Sequence, residues 1–251
     1  MIVFLTGASS GIGESMARHY AARGATLGLV ARRAERLQAL KASLATPVET
    51  YIADVRDHPA MIRAAEDFIA RRGLPDLVIA NAGVARPTIT GKDGTVEAFR
   101  ETMDINVLGI VHTFQPFVAP MRGRGSGQLV GVASVAGFRG TPVFSAYAAS
   151  KAAVIAYLEG LRVELRGSGV SVTTLCPGFI ESEMTAANRF PMPFLLKTDD
   201  AVERLCRAIE ARKSRAVIPW QMAIATTILR LLPPVLYDAI IASRARGRRE
   251  R

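Results

Sequence analysis

Thr6-Gly7-Ala8-Ser9-Ser10-Gly11-Ile12-Gly13 decides the architecture: it comes directly after the apolar run 2–6 and opens a segment of helical period carrying Met16, Ala17 and Tyr20. Glycines at a strand-to-helix turn let the backbone turn tightly and approach a bound anion. That anion then sits where unpaired N–H groups and the helix dipole favour negative charge. A glycine turn alone is common for steric reasons; its place after a first strand ties it to a dinucleotide pyrophosphate. Gly7, Ser9, Ser10, Gly11, Ile12 and Gly13 are therefore candidate cofactor-binding residues.

Working outward, six further apolar runs at 26–30, 48–53, 77–80, 128–133, 170–175 and 216–218 alternate with longer segments of helical period. Their near-continuous apolar character suits strands covered on both faces, and connections of this length fit right-handed β-α-β crossovers. The chain reads as α/β: a doubly wound Rossmann-type fold with a seven-stranded parallel sheet and a C-terminal helical extension. No internal repeat or long Pro/Ser/Gly linker divides it, so residues 1–251 are expected to form a single dinucleotide-binding and catalytic domain. The glycine-rich stretch 122–127 is expected as a loop before the fifth strand. Two late segments depart from the pattern. Residues 178–198, with Pro191 and Pro193, are expected as a mobile lid; residues 219–251 are expected as the helical extension, broken at Pro233-Pro234.

Composition narrows the function classes. Hydrophobic residues make up 49% of the 251, enough for one sizeable core. The net charge of +10 would suit nucleic acid or an anionic membrane, yet the basic residues are scattered along helices and concentrate clearly only at 244–251. With no zinc-finger spacing, basic zipper or aromatic ribonucleoprotein motif, nucleic acid is not an expected partner. His19, His58 and His112 lack ligand-like spacing, so no metal is expected. Cys176 and Cys206 lie in apolar or helical stretches, and no signal peptide precedes the glycine loop; free thiols and a cytoplasmic location are expected.

The chemistry lies further along. Ser134 ends the fifth apolar run, and Tyr147 and Lys151 are four residues apart, on one face of a helix. A phenol with an unperturbed pKa near ~10 is a poor base at neutral pH, but a neighbouring ammonium favours the phenolate. Ser134 would donate a hydrogen bond to a substrate oxygen on which negative charge grows. A Tyr-x3-Lys pair alone arises often as a buried ring beside a surface lysine. Its order with the glycine loop and Ser134 gives it weight. At the end of the second strand, Val30-Ala31-Arg32-Arg33 offers no carboxylate for a ribose 2′-hydroxyl, while the Arg32 guanidinium suits a 2′-phosphate. NADP(H) is thus the preferred cofactor and NAD(H) the alternative; the other reading of these arginines is the start of a solvated helix.

The spacing Gly-x3-Gly-x-Gly, together with Ser134, Tyr147 and Lys151, resembles the classical short-chain dehydrogenase/reductase family over nearly the whole chain. The resemblance implies further roles. Asn81-Ala82-Gly83 matches half of the family's Asn-Asn-Ala-Gly element, with Ala80 in place of its first asparagine. Asp54 and Val55 stand where the family contacts adenine, Pro177-Gly178 at its nicotinamide-side turn, and Ser182 where a threonine usually holds the carboxamide. Asn106, expected on the long fourth helix, matches the fourth catalytic residue, which helps hold a water in a proton relay to the lysine. Lys151 is also expected on the nicotinamide ribose. A homodimer or homotetramer is implied, and Ala152, Ala153, Ala156 and Gly160 on the Tyr147 helix suit close helix contact.

The expected substrate border, Val135, Phe138, Phe144, Phe179, Met184 and residues 190–196, is mainly apolar, which implies a small hydrophobic carbonyl or alcohol. The apolar segment 220–241, followed by Arg244, Arg246, Arg248 and Arg249, admits peripheral membrane contact, or cover for the pocket or a subunit interface. Two other readings compete. One is a non-catalytic NADP-binding sensor or scaffold; the other, a sugar-nucleotide epimerase, would need different glycine spacing and a larger C-terminal region.

Overall fold

Seven strands lie parallel in one sheet: β1 (Ile2–Thr6), β2 (Thr26–Ala31), β3 (Val48–Ile52), β4 (Leu77–Ala80), β5 (Gly127–Val132), β6 (Val170–Pro177) and β7 (Arg215–Ile218). The computed structural model describes residues 1–186 and 191–249, the last seven as backbone only. The strand order is β3-β2-β1-β4-β5-β6-β7. After β3 the chain returns past β1 to build the other half, which makes the β1/β4 boundary a switch point. In open α/β sheets, ligands bind outside the carboxyl ends of strands at such a boundary. β4 and β5 are buried at every position, as strands covered on both faces must be.

Helices cover both faces: α1 (Gly11–Ala21), α2 (Ala34–Ala42), α3 (His58–Arg72), α4 (Thr95–Met103), α5 (Gly109–Arg124), α6 (Ser145–Glu164), α7 (Glu183–Ala186), α8 (Thr198–Glu210), α9 (Trp220–Leu231) and α10 (Pro234–Arg249). On one face, Met16, Tyr20, Leu37, Leu205 and Cys206 pack with β1 and β2 side chains. On the other, Phe4 packs in one cluster with Phe68, Phe114, Phe117 and Leu158. The Phe4 ring lies 5.4 Å from Phe68 and 4.9 Å from Phe117, so one aromatic group ties helices from both halves of the sheet. Cys176 and Cys206 are buried, unpaired thiols, as expected.

Two expectations are corrected. The stretch 122–127 is not a full loop: α5 continues to Arg124, and only Gly125 (φ 71) turns the chain in the left-handed conformation that ends helices. Asn106 is not within a regular helix; it lies in a π-turn, Asp104–Leu108, inserted between α4 and α5. At the base of the expected lid, Leu196 N–H donates to Phe179 O and Glu181 N–H to Leu196 O, each at 3.0 Å. The part of that segment including Arg189 and Phe190 lies outside the described residues.

The C-terminal extension breaks at Pro233-Pro234 as expected. It is fastened to the loop after Ser134: Arg139 donates to Arg230 O (3.2 Å) and Leu232 O (3.1 Å), with its guanidinium 4.4 Å over the Tyr237 ring. Trp220, Ile224, Ile228 and Leu231 leave an exposed apolar stripe along α9. Among the described residues, no helix is long and apolar enough to cross a membrane. The side chains of the arginine tail, 244–251, lie outside the described residues.

Candidate active site

The groove at the switch point, about 420 Å³, is built from strand ends and the loops that follow them. Gly7, Ser9, Ser10, Gly11 and Ile12 form one wall, with Arg32, Asp54 and Val55 at one end and Asn81, Ala82 and Gly83 beneath. Ser134, Tyr147, Lys151, Pro177, Gly178 and Ser182 complete it. Of the expected site residues, Gly13 and Asn106 do not line the groove.

Gly13 shapes it from behind. A Cβ there would fall 2.2 Å from Gly7 O and 2.5 Å from Asn81 Nδ2, so only glycine lets α1 approach the loop this closely. Asn81 braces the same turn, donating from Nδ2 to Thr6 O (3.1 Å) and Gly7 O (3.2 Å). The Thr6 hydroxyl in turn accepts the N–H of Asn81 at 3.2 Å. The chain thus fits a dinucleotide: the glycine loop is braced by the Asn81 side chain and lies at a helix start.

Asn106 is fully buried and acts through neighbours. Its Oδ1 accepts Val84 N–H (2.8 Å), and its Nδ2 donates to Val84 O and Ser150 Oγ, both at 2.9 Å. Ser150 Oγ donates to Tyr147 O at 2.7 Å, which links the π-turn to α6, the helix carrying Tyr147 and Lys151. Between Asn106 and Lys151 stands Gly83, where a Cβ would come within 3.2 Å of Asn106 Oδ1 and 3.4 Å of Lys151 Nζ. Ser150 was not foreseen, because a serine in an alanine-rich helix gives no periodic signal.

Lys151 is buried on α6, and its Nζ donates to Val132 O at 2.8 Å. Burial pulls its pKa down to about 8. Tyr147 faces protein on most sides, and that desolvation raises its phenol, while the hydrogen bond with Ser134 acts to lower it. The expectation that the ammonium governs the phenol is not met here: burial is the larger influence and works in the other direction. Lys151 Nζ stands 5.8 Å from the Tyr147 ring centroid. Ser134 Oγ accepts Ala136 N–H at 3.1 Å and makes a long 3.4 Å bond to Pro177 O, which leaves it easily redirected.

At the far end, Arg32 lies 3.6 Å from the Asp54 carboxylate, which Arg56 also holds at 2.7 Å. The Arg56 hydrogen bonds keep Asp54 below the usual carboxylate range. Arg33, not Arg32, crosses the glycine loop, donating to Ser9 Oγ (3.1 Å), Ser9 O (3.3 Å) and Ser10 Oγ. Ser182 borders the groove but its amide is turned to Thr185 Oγ1 at 2.9 Å, where it starts α7. Of the expected apolar substrate border, Met184 lines the groove, whereas Phe138 packs against the core beside α6.

This arrangement of sheet, switch point and glycine-lined groove is that of Rossmann-type α/β proteins. Residues 1–192 match the family model described as short chain dehydrogenase. A protein of Myxococcus xanthus named an uncharacterized oxidoreductase is 42% identical over 238 residues, 94% of each chain. The 11-beta-hydroxysteroid dehydrogenase A of Sesamum indicum is 40% identical over 188 residues, 73% of this chain and 53% of that protein. A solved structure described as the closed form of serine dehydrogenase complexed with NADP+ superposes with a TM-score of 0.78 at 26% identity, covering 87% of this chain and 94% of that one. The chain belongs to the short-chain dehydrogenase/reductase family and is an oxidoreductase of that type.

Proposed function

We propose that the protein interconverts a carbonyl and an alcohol on a small hydrophobic substrate, with NADP(H) preferred over NAD(H) and Tyr147 as general acid and base. The observation that carries this reading is the meeting of Ser134, Tyr147 and Lys151 in the groove the glycine loop opens. The bound nicotinamide would supply or accept the hydride. Tyr147 gives its hydroxyl proton to the substrate oxygen in reduction and recovers it in oxidation. Ser134, drawn from its long bond to Pro177 O, steadies the charge growing on that oxygen. Lys151 has three N–H donors; one goes to Val132 O, and the others suit ribose hydroxyls. Asn106, through Ser150, fixes the helix that presents the tyrosine.

Several features support the finer points. The end of β2 carries two arginines and no acidic residue of its own, which suits a 2′-phosphate, and the serine dehydrogenase relative was solved with NADP+. Val84, Ile180 and Met184 give the groove an apolar flank, and the sesame relative is named for a hydroxysteroid. Ala152, Ala156 and Gly160 are exposed along α6, which suits a homo-oligomer. The stripe on α9 supports peripheral contact with anionic lipid, because residues 211–251 carry nine basic and two acidic residues, most of the chain's net charge of +10.

Replacing Tyr147→Phe removes only the proton-transferring hydroxyl. Turnover of NADPH against aliphatic, aromatic, steroidal and acyl-chain carbonyls is expected to fall by about 10²–10⁴-fold, with NADPH affinity nearly unchanged. Retention of most of the rate would remove the mechanism. NADPH binding without turnover of any carbonyl by the wild type would favour the sensor reading.

A further inference from the structure

Glu183, the first residue of α7, is held by two arginines from the opposite end of the groove. Its Oε2 lies 2.8 Å from Arg33 Nη1, and its Oε1 accepts from Arg36 Nη1. It directly follows Ser182, whose Cβ lies 3.4 Å from where a Cβ on Gly11 would stand, so the start of α7 lies against the glycine loop. Arg33 is meanwhile oriented by Ser9 and Ser10. The result is an ion pair spanning 150 positions of sequence, laid across the loop that would cradle a pyrophosphate.

We propose that Glu183 is a built-in competitor for Arg33 and Arg36 at the cofactor's 2′-phosphate, and that this phosphate monoester displaces it. Arg32 stands beside these arginines, 3.6 Å from Asp54 on the adenine side. Charge decides the exchange. Two guanidiniums outweigh one carboxylate, whereas a phosphate monoester carries close to two negative charges and three acceptor oxygens. The existing pairs are easily exchanged, since Arg33, Arg36 and Glu183 are all about half exposed and exposed ion pairs are weak. A ligand lacking the phosphate gives the arginines no replacement, so it leaves Glu183 in place. Glu183 thereby holds NADP(H) affinity below what the arginines alone would give, and eases its release.

The inference rests on the NADP(H) reading above, and calorimetric titration with NADPH and NADH separates the two. In the wild type NADPH should bind at least tenfold tighter than NADH, and Arg33→Ala should erase most of that difference. Glu183→Gln should bind NADPH about three- to tenfold tighter than the wild type, as expected for losing competition from weak exposed pairs. Its NADH affinity should stay within twofold, and Glu183→Gln should bring no gain in an Arg33→Ala background. If NADPH prefers the wild type over Glu183→Gln, or binds both equally, Glu183 is not a competitor, though the cofactor reading survives. Equal wild-type affinity for NADPH and NADH would overturn both. Glu183→Ala, titrated alongside, must agree in sign with Glu183→Gln; disagreement would overturn the competition.

Discussion

Tyr147 and Lys151 stand one helical turn apart and both resist ionising, since burial raises the phenol and lowers the ammonium. For Lys151 the shift from 10.5 to about 8 has a definite consequence for stability. Below pH 8 the lysine is charged in both folded and unfolded chains, so the full cost of burying that charge is present. Between about 8 and 10.5 the folded chain sheds the proton that the unfolded chain keeps, and stability rises with pH. Lys151→Met should therefore abolish turnover yet stabilise the fold at pH 7 by on the order of 1–2 kcal/mol, after allowing for the lost bond to Val132. Urea unfolding at pH 7 and pH 10 checks this, because the variant should lack the wild type's gain at the higher pH. Ser134, Tyr147 and Lys151 were legible in the sequence through short spacings and their order. Arg33, Arg36 and Glu183 were not legible as a group, since nothing local in 33–36 announces a carboxylate far along the chain.

At the scale of elements, local pattern served the strands well and the helix ends less well. Apolar runs located all seven strands to within two residues at either end, because strands buried on both faces leave an unbroken signal. The π-turn at Asp104–Leu108 was hidden, because one extra residue slips the helical phase without altering composition. Two helical glycines offer a paired test. Gly123 on α5 and Gly160 on α6 have ordinary helical backbones, and a Cβ on either meets nothing within 4 Å. Alanine at each should stabilise the monomer by about 0.5–1 kcal/mol, measured by denaturant titration. Gly160→Ala should in addition weaken self-association in sedimentation if α6 packs closely against its copy; unaltered assembly would place the interface elsewhere.

Across the whole molecule, chemistry and surface are segregated. The groove lies at the strand ends, whereas the apolar stripe and most of the net charge lie in the last 41 residues. Co-sedimentation with anionic vesicles is expected at low salt and should fall steeply by 0.5 M salt, with neutral vesicles leaving the protein in solution. Absence of salt-sensitive binding would assign the stripe to another role. The sequence disclosed a parallel sheet but not its strand order, which depends on contacts between distant segments. That order has a last consequence at the β1/β4 boundary. The backbone passes between the two halves of the sheet once, through residues 73–76, while Val3, Phe4 and Leu5 pair with Leu77, Val78 and Ile79 and Phe4 packs on Phe117. A break in the chain at Gly73 would thus yield two fragments with complementary edges and a shared aromatic seam. Covalent continuity there serves to keep the fragments at high mutual concentration, and a ligand gripping both sides of the groove would do the same work without a peptide bond.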